Sequence, residues 1–454
     1  MNIKRFPGYR LEKLIVHETV AFFADTNCML IRPDTGTTLS MCNQLGERFE
    51  KRQLTDDLIF LLVQRALADY DKSRPLVDCQ KCVLPDFFLI DLTKACNMSC
   101  TYCFRDLDAH CERVADDQLS RICNSLIAYW NAHPHIHLSI QAWGGEPLLE
   151  LSSIVEIRRI FNEAGLHPKI TVESNGTLIT PEAAQALCNN NIEMGISIDG
   201  NALVHDLQRP LVDGQASLHL VERGISNLRE AGCDDFGTIT VVTKNTVAHL
   251  HEILQFFTEK LHLCRIKMNL MRKNEQNSDL AVSLEEIDSY VEVLISHLYD
   301  LYRQRISLVE QNISQRLSNL LFRPNNNICN AYGCHGGYRM LSIDIDGHVY
   351  PCELSDYPNY CLGVAGTSDF TDMVRTAIAS DHEYFAEKQL NECKGCPWLY
   401  FCGGGCRSSV KYDGKSPTEI DHTECIFNKS LYPRLVEILL TDSSFGQYLL
   451  NGEI

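Results

Sequence analysis

The sequence KACNMSCTYCF, residues 94–104, places Cys96, Cys100 and Cys103 in one short segment. It directly follows an apolar run, Phe87–Leu92, that predicts a buried strand. In parallel α/β folds, ligands bind at the carboxyl ends of the strands. A four-iron cluster needs four ligands, so three thiolates leave one iron without a protein ligand. We therefore predict a reactive iron–sulfur centre here; zinc is the weaker interpretation, because zinc sites usually use paired Cys-x2-Cys groups.

Strand and helix patterns alternate on both sides of this segment, from residue 86 to about residue 270. The predicted strands are Phe87–Leu92, His137–Gln141, Ile170–Glu173, Glu193–Ile198, Thr238–Val242 and Arg265–Leu270. Amphipathic helices are predicted at Asp117–Asn131, Ser152–Ala164, Pro181–Asn190, Leu218–Ala231 and Val247–Lys260. This alternation indicates a parallel sheet of βαβ units. Six units are too few for a closed eight-stranded barrel, so the predicted fold class is α/β, a partial (β/α)6 barrel of the open TIM type.

The spacing Cys-x3-Cys-x-aromatic-Cys, with Tyr102 as the aromatic residue, resembles the signature of the radical S-adenosylmethionine (SAM) superfamily. Short polar motifs follow the next three predicted strands, as they do in that family. The resemblance implies that the open iron binds SAM, that the Gly-Gly-Glu motif holds its amino group, and that later motifs contact its ribose and carboxylate. The cofactor-binding residues implied are Tyr102, Gly144, Gly145, Glu146, Ser174, Asn175, Ser197, Asp199 and Arg209.

A second group of cysteines lies in residues 329–425, where helical periodicity fades and metal ligation is a natural source of folding free energy. Its spacing resembles the complete SPASM auxiliary-cluster pattern, and eight thiolates suffice for two four-cysteine clusters. The resemblance implies one cluster on Cys329, Cys334, Cys352 and Cys406, and another on Cys393, Cys396, Cys402 and Cys425. Cys329 is the least certain ligand, and without it the first auxiliary cluster has an open iron. Two zinc ribbons are the alternative, and Cys79 and Cys82 are interpreted as unliganded linker thiols.

The ends of the chain carry different patterns. Thr19–Asp25 and Met29–Arg32 predict two short strands, and a capped helix is predicted from Thr55 to Asp71. Residues 1–78 resemble the small winged-helix domain that grips leader peptides, although a stabilising extension is the alternative. Ser283–Gln311 predicts a long helical segment and Leu431–Leu440 a closing helix. We therefore divide the chain into 1–78, a barrel at 79–311, a SPASM domain at 312–428 and a C-terminal helix at 429–454.

Composition limits the environment and the partners. The formal net charge of −18 argues against a nucleic-acid partner, which needs a basic surface. No apolar run approaches the ~20 residues that cross a bilayer, and no signal peptide is evident, so a cytoplasmic location without membrane contact is expected. Structural disulfides are then not expected among the 21 cysteines. Scattered thiols are interpreted as small core residues: Cys28, Cys42, Cys123, Cys188, Cys233 and Cys264.

The resemblance also implies an activity. One electron from the first cluster would cleave SAM to methionine and a 5′-deoxyadenosyl radical, which abstracts hydrogen from a substrate. SPASM relatives mostly act on peptides, so we predict a maturase that installs a thioether or carbon–carbon cross-link in a ribosomally made peptide. The implied cofactors are three [4Fe–4S] clusters and SAM. The implied partners are a precursor peptide and an electron donor such as flavodoxin or ferredoxin.

Two alternatives come from different classes. The chain also resembles sulfatase-maturing enzymes, which oxidise cysteine or serine to formylglycine and share the same cluster architecture. Those enzymes usually have an aspartate directly after the cysteine that corresponds to Cys352. Here the residue is Glu353, a candidate catalytic base, although a surface glutamate is the commoner case. The other alternative is a non-catalytic electron carrier or a zinc scaffold, which has no need of the SAM motifs.

Overall fold

A computed structural model describes most of the chain: residues 1–11, 14–55, 58, 61–62, 65, 67–70, 83–105, 112–322, 334–353 and 358–453. Several predictions fall outside these residues, namely those for Cys79, Cys82 and Cys329 and for most of the helix between Thr55 and Asp71. In the described part of the chain, no helix combines the length and apolarity needed to cross a bilayer.

The N-terminal segment forms two small antiparallel sheets. Its elements are β1 (Asn2–Phe6), β2 (Tyr9–Leu11), β3 (Leu14–Val16), β4 (Thr19–Phe23), β5 (Asn27–Arg32), β6 (Thr37–Cys42), the helix α1 (Asn43–Glu50) and β7 (Ala68–Tyr70). The strand orders are β1-β4-β5-β6 and β2-β3-β7. The two predicted strands are confirmed as β4 and β5. The predicted helix is wrong at its end, because Ala68–Tyr70 pairs with β3 instead of continuing a helix.

Six parallel strands with intervening helices form the centre of the molecule, as predicted. The elements are β8 (Phe87–Thr93), α2 (Asp116–Ala132), β9 (Ser139–Gly144), α3 (Leu151–Glu163), β10 (Lys169–Ser174), α4 (Pro181–Asn189), β11 (Ile192–Ser197), α5 (Ala202–Gln208), α6 (Leu218–Glu230), β12 (Gly237–Val242), α7 (Lys244–Ala248), α8 (Leu250–Gln255) and β13 (Arg265–Leu270). Strands β8 to β13 are neighbours in chain order, and every pair is parallel. The carboxyl ends of all six strands therefore lie at one edge of the sheet.

The remaining elements extend this sheet on both sides. They are α9 (Glu286–Gln304), β14 (Val309–Glu310), α10 (Gln311–Phe322), β15 (Met340–Ile343), β16 (His348–Tyr350), β17 (Gly363–Val364), α11 (Phe370–Ala379), α12 (Leu399–Cys402), α13 (Arg407–Tyr412), α14 (His422–Thr441) and α15 (Ser443–Asn451). Strand β14 pairs with β13, and β15 pairs in parallel with β8, which makes a ten-stranded sheet. The segment predicted to be helical from Ser283 to Gln311 contains β14 near its end, and the closing helix starts at His422, well before its predicted start.

Side chains alternate between two environments along the central strands. Even-numbered residues such as Phe88, Ile140 and Val172 belong to the large core that packs against the helices. Odd-numbered residues such as Gln141 and Glu173 line a cavity on the other face of the sheet. This period of two is expected for strands with two different faces, and it sets which side chains can meet a ligand.

The scattered cysteines do not share one role. Cys28 and Cys123 are buried, as predicted, whereas Cys42 and Cys264 are exposed. Cys188 and Cys233 form a disulfide, which contradicts the expectation of no structural disulfides and of two core thiols. The ends of α4 and α6 bring their Cα atoms to 6.0 Å, a separation that a disulfide can span.

Candidate active site

The three-cysteine loop follows β8, at the carboxyl edge of the sheet. Backbone hydrogen bonds hold it against the segment after α5: Ser99 N–H donates to the Pro210 carbonyl and Thr101 N–H to the Gln208 carbonyl, both at 2.9 Å. Cys96, Cys100 and Cys103 are all half-buried. Burial raises the pKa of the Cys100 thiol to about 11, so metal binding must displace a proton that the unliganded thiol would keep.

A pair of glycines lets the loop lie directly on the end of β9. A Cβ atom at Gly144 would come within 2.4 Å of the Thr93 carbonyl oxygen, and one at Gly145 within 2.2 Å of the Ala95 carbonyl oxygen. Contacts of that length are sterically excluded, so no side chain fits at either position. The glycines of the Gly-Gly-Glu motif therefore admit the backbone of the cysteine loop as well as any ligand beyond it.

Glu146 is fully occupied by protein partners. Its Oε1 accepts hydrogen bonds from Leu148 N–H at 2.9 Å and Ser174 Oγ at 2.7 Å, and its Oε2 accepts one from Asn175 N–H at 2.7 Å. Burial raises the pKa of this carboxyl, and the hydrogen bonds oppose that effect. Asn175 in turn donates to Asn97 in the cysteine loop at 2.8 Å. The carboxylate thus ties the ends of β9 and β10 to the loop.

Tyr102, Asp199 and Arg209 form a buried network below the loop. The Tyr102 hydroxyl donates to Asp199 Oδ2 and accepts from Arg209, while Gln208 Nε2 donates to Asp199 Oδ2 at 3.0 Å. Asp199 is entirely buried, and its other oxygen accepts from the Val241 N–H at 3.0 Å. The structure thus brings three of the predicted cofactor-binding residues together, with their polar groups directed chiefly at one another.

His205 completes this network. Its Nδ1 accepts a hydrogen bond from Asp199 N–H at 3.2 Å, and its Nε2 lies 3.1 Å from Ser217 Oγ, which itself donates to the Arg209 carbonyl. Burial, followed by the positive charge of Arg209, lowers the pKa of His205 to about 3. The imidazole is therefore neutral, and sequence reasoning did not single it out.

The auxiliary cysteines separate into two groups. Cys406 interacts electrostatically with Cys334, and both lie near Cys352 around the Tyr384 hydroxyl. Cys425 interacts with Cys393, Cys396 and Cys402 instead. The reason lies in residues 403–405, three glycines with positive φ angles, which turn the chain between Cys402 and Cys406. The described members of the two sets therefore group as the family resemblance implied, while Cys329 lies outside the described residues.

The spacing of the sulfurs bears on which metal fits. With Zn–S bonds of 2.3 Å, tetrahedral zinc holds its sulfurs roughly 3.8 Å apart. Among the residues that the structure describes, the only set of three or more acidic, histidine or cysteine ligand atoms all within 4.8 Å of one another is Asp344, Asp346 and His348. No cysteine group among the described residues therefore has three sulfurs that all lie within 4.8 Å of one another.

One cavity of about 580 Å³ joins these groups. Its lining includes all three cysteines of the first loop together with four of the auxiliary ones, Cys334, Cys352, Cys402 and Cys406. Predicted residues Gly144, Gly145, Glu146, Asn175, Ser197 and Arg209 also line it. A volume of this order accommodates a cofactor together with part of a substrate.

Glu353 enters this cavity from the loop after β16. Its side chain is 14% exposed, and Oε1 lies 4.0 Å from an Arg272 nitrogen. Its Oε2 is buried without a hydrogen-bond partner among the described residues. A buried carboxylate oxygen in a cavity is a functional candidate, and the interpretation as an ordinary surface glutamate is wrong.

Sequence reasoning missed other polar side chains that line the cavity, among them Gln141, Glu173 and Lys267 on the central strands. Glu173 interrupts an apolar strand pattern, Ile170–Val172, and Lys267 interrupts another, Ile266–Met268. Central strands of a parallel sheet are normally buried on both faces. A charged residue inside such a predicted strand was therefore the sequence signal that could have identified Glu173 and Lys267 as cavity residues.

The α/β fold and the cysteines that line one cavity place this chain in the class of iron–sulfur enzymes. A model of the radical SAM superfamily matches residues 90–257, and a model of the SPASM iron–sulfur cluster-binding domain matches residues 334–397. The chain is a radical SAM enzyme with a SPASM domain. It uses SAM and a [4Fe–4S] cluster, and the SPASM domain binds auxiliary clusters. The alternative of a non-catalytic carrier or zinc scaffold is therefore wrong.

Known proteins of this architecture resemble the chain over most of its length. The cysteine-type anaerobic sulfatase-maturating enzyme of Clostridium perfringens (strain 13 / Type A) is 27% identical over 365 residues, which cover 76% of this chain and 96% of that protein. The solved structure of native anSMEcpe with bound AdoMet has a TM-score of 0.67 at 23% identity, covering 78% of this chain and 98% of that one. Streptococcus suis SuiB bound to precursor peptide SuiA has a TM-score of 0.54 at 15% identity, covering 92% of this chain and 100% of that one. The two structures share the fold.

Proposed function

We propose that this chain is a peptide maturase that installs a thioether or carbon–carbon cross-link in a ribosomally made peptide. The observation that carries the proposal is the cavity that is lined both by the first cysteine loop and by four of the auxiliary cysteines. Such a cavity admits one peptide residue between the two kinds of centre. Cys96, Cys100 and Cys103 would hold the cluster that binds SAM, which when bound would supply the 5′-deoxyadenosyl radical for hydrogen abstraction from the substrate.

The residues that would hold the cofactors follow from their positions. Cys96, Cys100 and Cys103 would hold the SAM-binding cluster, and the two auxiliary sets, with Cys329 in the first, would bring the total to three clusters. Ser197 lines the cavity at the end of β11 and is available to SAM, whereas Asn175 at the end of β10 already bonds Glu146 and Asn97. Tyr102 and Asp199 would act mainly by fixing the loop, since they hydrogen-bond each other. Arg209 lines the cavity, and its Nε has no hydrogen-bond partner among the described residues, so it remains available to SAM.

Glu353 is the proposed proton acceptor. Formation of one cross-link removes two hydrogens from the peptide. One would leave as a hydrogen atom to the 5′-deoxyadenosyl radical, and the other as a proton to Glu353 with its electron passing to an auxiliary cluster. The Oε2 atom of Glu353 is buried in the cavity and accepts no hydrogen bond from the described residues, so it is free to take that proton. A general base has to lie within hydrogen-bond reach of the proton that it removes, and Glu353 is part of the lining of the cavity in which the substrate would bind.

The N-terminal segment is proposed to bind the leader part of the peptide, as a winged-helix-like recognition domain beside a partial barrel. Its small antiparallel sheets have edge strands, and an extended peptide can add to such an edge through backbone hydrogen bonds. The likeness to SuiB bound to precursor peptide SuiA covers 92% of this chain, compared with 78% for anSMEcpe. The match to SuiB thus covers a larger share of this chain.

Mass spectrometry tests the proposal. A small open reading frame next to the gene should encode the precursor, and co-expression should remove two hydrogens per cross-link from its peptide. Tandem fragmentation should stop between the linked residues, and the thiol should no longer react with iodoacetamide in a thioether product. A peptide of unchanged mass, with SAM and a competent reductant present, would contradict the proposal.

Sulfatase maturation remains the second candidate, favoured by the 27% identity with the Clostridium perfringens enzyme and by the place of Glu353 in the cavity. Conversion of serine to formylglycine also removes two hydrogens, whereas conversion of cysteine additionally exchanges the thiol sulfur for oxygen, so for a serine substrate mass alone does not separate the two functions. An aldehyde-reactive hydrazide does, because it labels formylglycine but not a cross-link. Labelling of a synthetic cysteine-containing sulfatase peptide after incubation with the reduced holoenzyme would favour this candidate.

A further inference from the structure

Two charged side chains project into the cavity from two strands of the central sheet, β10 and β13, which β11 and β12 separate. Glu173 on β10 and Lys267 on β13 both line the cavity and are both half-buried. Gly195 on the intervening strand β11 makes room for the carboxylate, since a Cβ atom there would lie 3.2 Å from Glu173 Cγ. Strand alternation directs both side chains to the ligand-binding face.

Glu173 and Lys267 are near enough to influence each other electrostatically, but they do not form an ion pair. Lys267 lowers the pKa of Glu173 electrostatically, yet within the described residues no ion pair of 4.0 Å or less joins the two, and Lys267 Nζ makes no hydrogen bond. On the same sheet, the exposed side chains of Lys169 and Glu193 form an ion pair with a distance of 2.7 Å. Burial is the largest influence on Glu173 and raises its pKa, so the cost of placing the carboxylate there is not recovered by Lys267. Charges held apart in this way suit a ligand that enters between them.

The surrounding groups narrow the kind of ligand. Glu353 faces Glu173 from the loop after β16, Arg272 follows β13, and Gln141 on β9 hydrogen-bonds Glu173. Two carboxylates and two cations balance one another at this place, so the cavity has no strong preference for a charged ligand. It offers a hydrogen-bond donor, Lys267, and an acceptor, Glu173, in the lining of the same cavity. A peptide group presents the complementary acceptor and donor.

Resting on the proposed function, we propose that Glu173 and Lys267 bind the backbone of the substrate residue that is modified. Lys267 Nζ donates to a carbonyl oxygen of that residue, and Glu173 accepts from a backbone N–H. Both are positioning residues that read the backbone and leave the side chain free for the reaction. Such a contact fixes the reacting C–H bond, and a displacement of about 1 Å can cost on the order of 100-fold in rate.

Binding measurements on the anaerobic, SAM-loaded holoenzyme test this contact. The probe is the fluorescently labelled precursor peptide encoded beside the gene, together with analogues that each carry one backbone N-methyl group. Glu173→Gln and Lys267→Met should each weaken peptide binding about tenfold, the usual scale for a hydrogen bond to a charged group. Glu193→Gln, which neutralises an exposed carboxylate on β11, is the matched control and should bind as the wild type does.

The N-methyl analogues distinguish a direct hydrogen bond between Glu173 and the peptide from a purely structural role of Glu173. One methyl position should weaken wild-type binding about tenfold and have no further effect in Glu173→Gln, because both changes remove the same hydrogen bond. If every methyl position weakens both enzymes equally, the contact does not exist. An equal loss of SAM affinity in the two variants would also overturn it, since the pair would then bind the cofactor.

Failure of the proposed function would give a different combination of results from failure of the backbone contact. A wild-type enzyme that binds the peptide with the expected dependence on Glu173, but does not change its mass, would support the contact and contradict cross-linking. A peptide that neither binds nor changes mass would overturn both. Unchanged iron content in Glu173→Gln and Lys267→Met verifies that each variant is folded.

Discussion

At the residue scale, the site depends on a buried polar network that keeps one imidazole neutral. His205 is completely buried, accepts from the Asp199 backbone through Nδ1 and bonds Ser217 through Nε2. A proton on Nδ1 would both break the Asp199 contact and place a second positive charge near Arg209. Since Asp199 also holds Tyr102 of the cysteine loop, the neutral state of His205 supports the geometry of the loop.

This network predicts a pH dependence of stability. The pKa of His205 is about 3 in the folded chain and about 6.5 in an unfolded one. Below pH 6.5 the unfolded chain gains a proton that the folded chain refuses, so stability is present above pH 6.5 and is lost as the pH falls toward 3. The difference amounts to about 2 kcal/mol at pH 5.

The measurement is the free energy of unfolding of wild type and His205→Gln at pH 7 and pH 5. The wild type should lose about 2 kcal/mol more than the variant over this interval. His219→Gln, at an exposed position of α6, should keep the wild-type dependence. Equal losses in wild type and His205→Gln would show that this imidazole does not remain neutral.

At the scale of elements, function is concentrated where strands end. The cysteine loop follows β8, the Gly-Gly-Glu motif follows β9, and the motif with Asn175 follows β10. Backbone hydrogen bonds connect these segments directly. Gly145 N–H donates to the Thr93 carbonyl at 2.8 Å, and Glu146 N–H donates to the Ala95 carbonyl at 2.9 Å. A shift in one strand end must therefore move the next.

Gly145→Ala should expose this dependence. The new methyl group would lie 2.2 Å from the Ala95 carbonyl oxygen, so the cysteine loop must move and the first cluster should be lost. Iron analysis after anaerobic reconstitution should show a loss of about four iron atoms per chain, with no 5′-deoxyadenosine formed. Gly237→Ala, on β12, is the control, because its nearest neighbour would be 3.8 Å away; full iron content in Gly145→Ala would contradict the account.

Local sequence patterns predicted some elements well and others poorly. The six central strands and the first cysteine loop were recovered because apolar runs and cysteine spacing are local signals. The pairing of β15 with β8 joins residues about 250 positions apart, and no local pattern encodes it. Helix α1 and strand β7 were missed because short elements are stabilised by tertiary pairing more than by propensity. Glu173 and Lys267 were missed because each is a single charge whose partner lies on another strand.

At the scale of the whole molecule, the N-terminal sheet packs on the SPASM region and the C-terminal helix. Phe22 of β4 lies 5.2 Å from the Trp398 ring, which stacks on Tyr432 of α14 at 5.0 Å. Trp398 itself lies between Cys396 and Cys402 in the chain and is 4% exposed. One buried aromatic stack thus connects the N-terminal segment, the second auxiliary cysteine group and the last long helix.

Trp398→Ala should destabilise the chain by about 3 kcal/mol, because a large buried ring is replaced by a cavity. The second auxiliary cysteine group should lose iron as well, since the ring supports the segment between two of its members. The urea midpoint and the iron content of the holoprotein measure both effects. Phe322→Ala, at a site that is 65% exposed, should change neither, and a Trp398 variant with wild-type values would contradict this packing argument.

The central claim is that a loop with only three sulfurs supports SAM cleavage beside separate auxiliary centres. The most direct test replaces Cys96, Cys100 and Cys103 together with alanine, reduces the reconstituted protein with dithionite in the presence of SAM, and quantifies 5′-deoxyadenosine. The account predicts none, with about eight of about twelve iron atoms retained on the auxiliary cysteines. Continued formation of 5′-deoxyadenosine by this variant would contradict it.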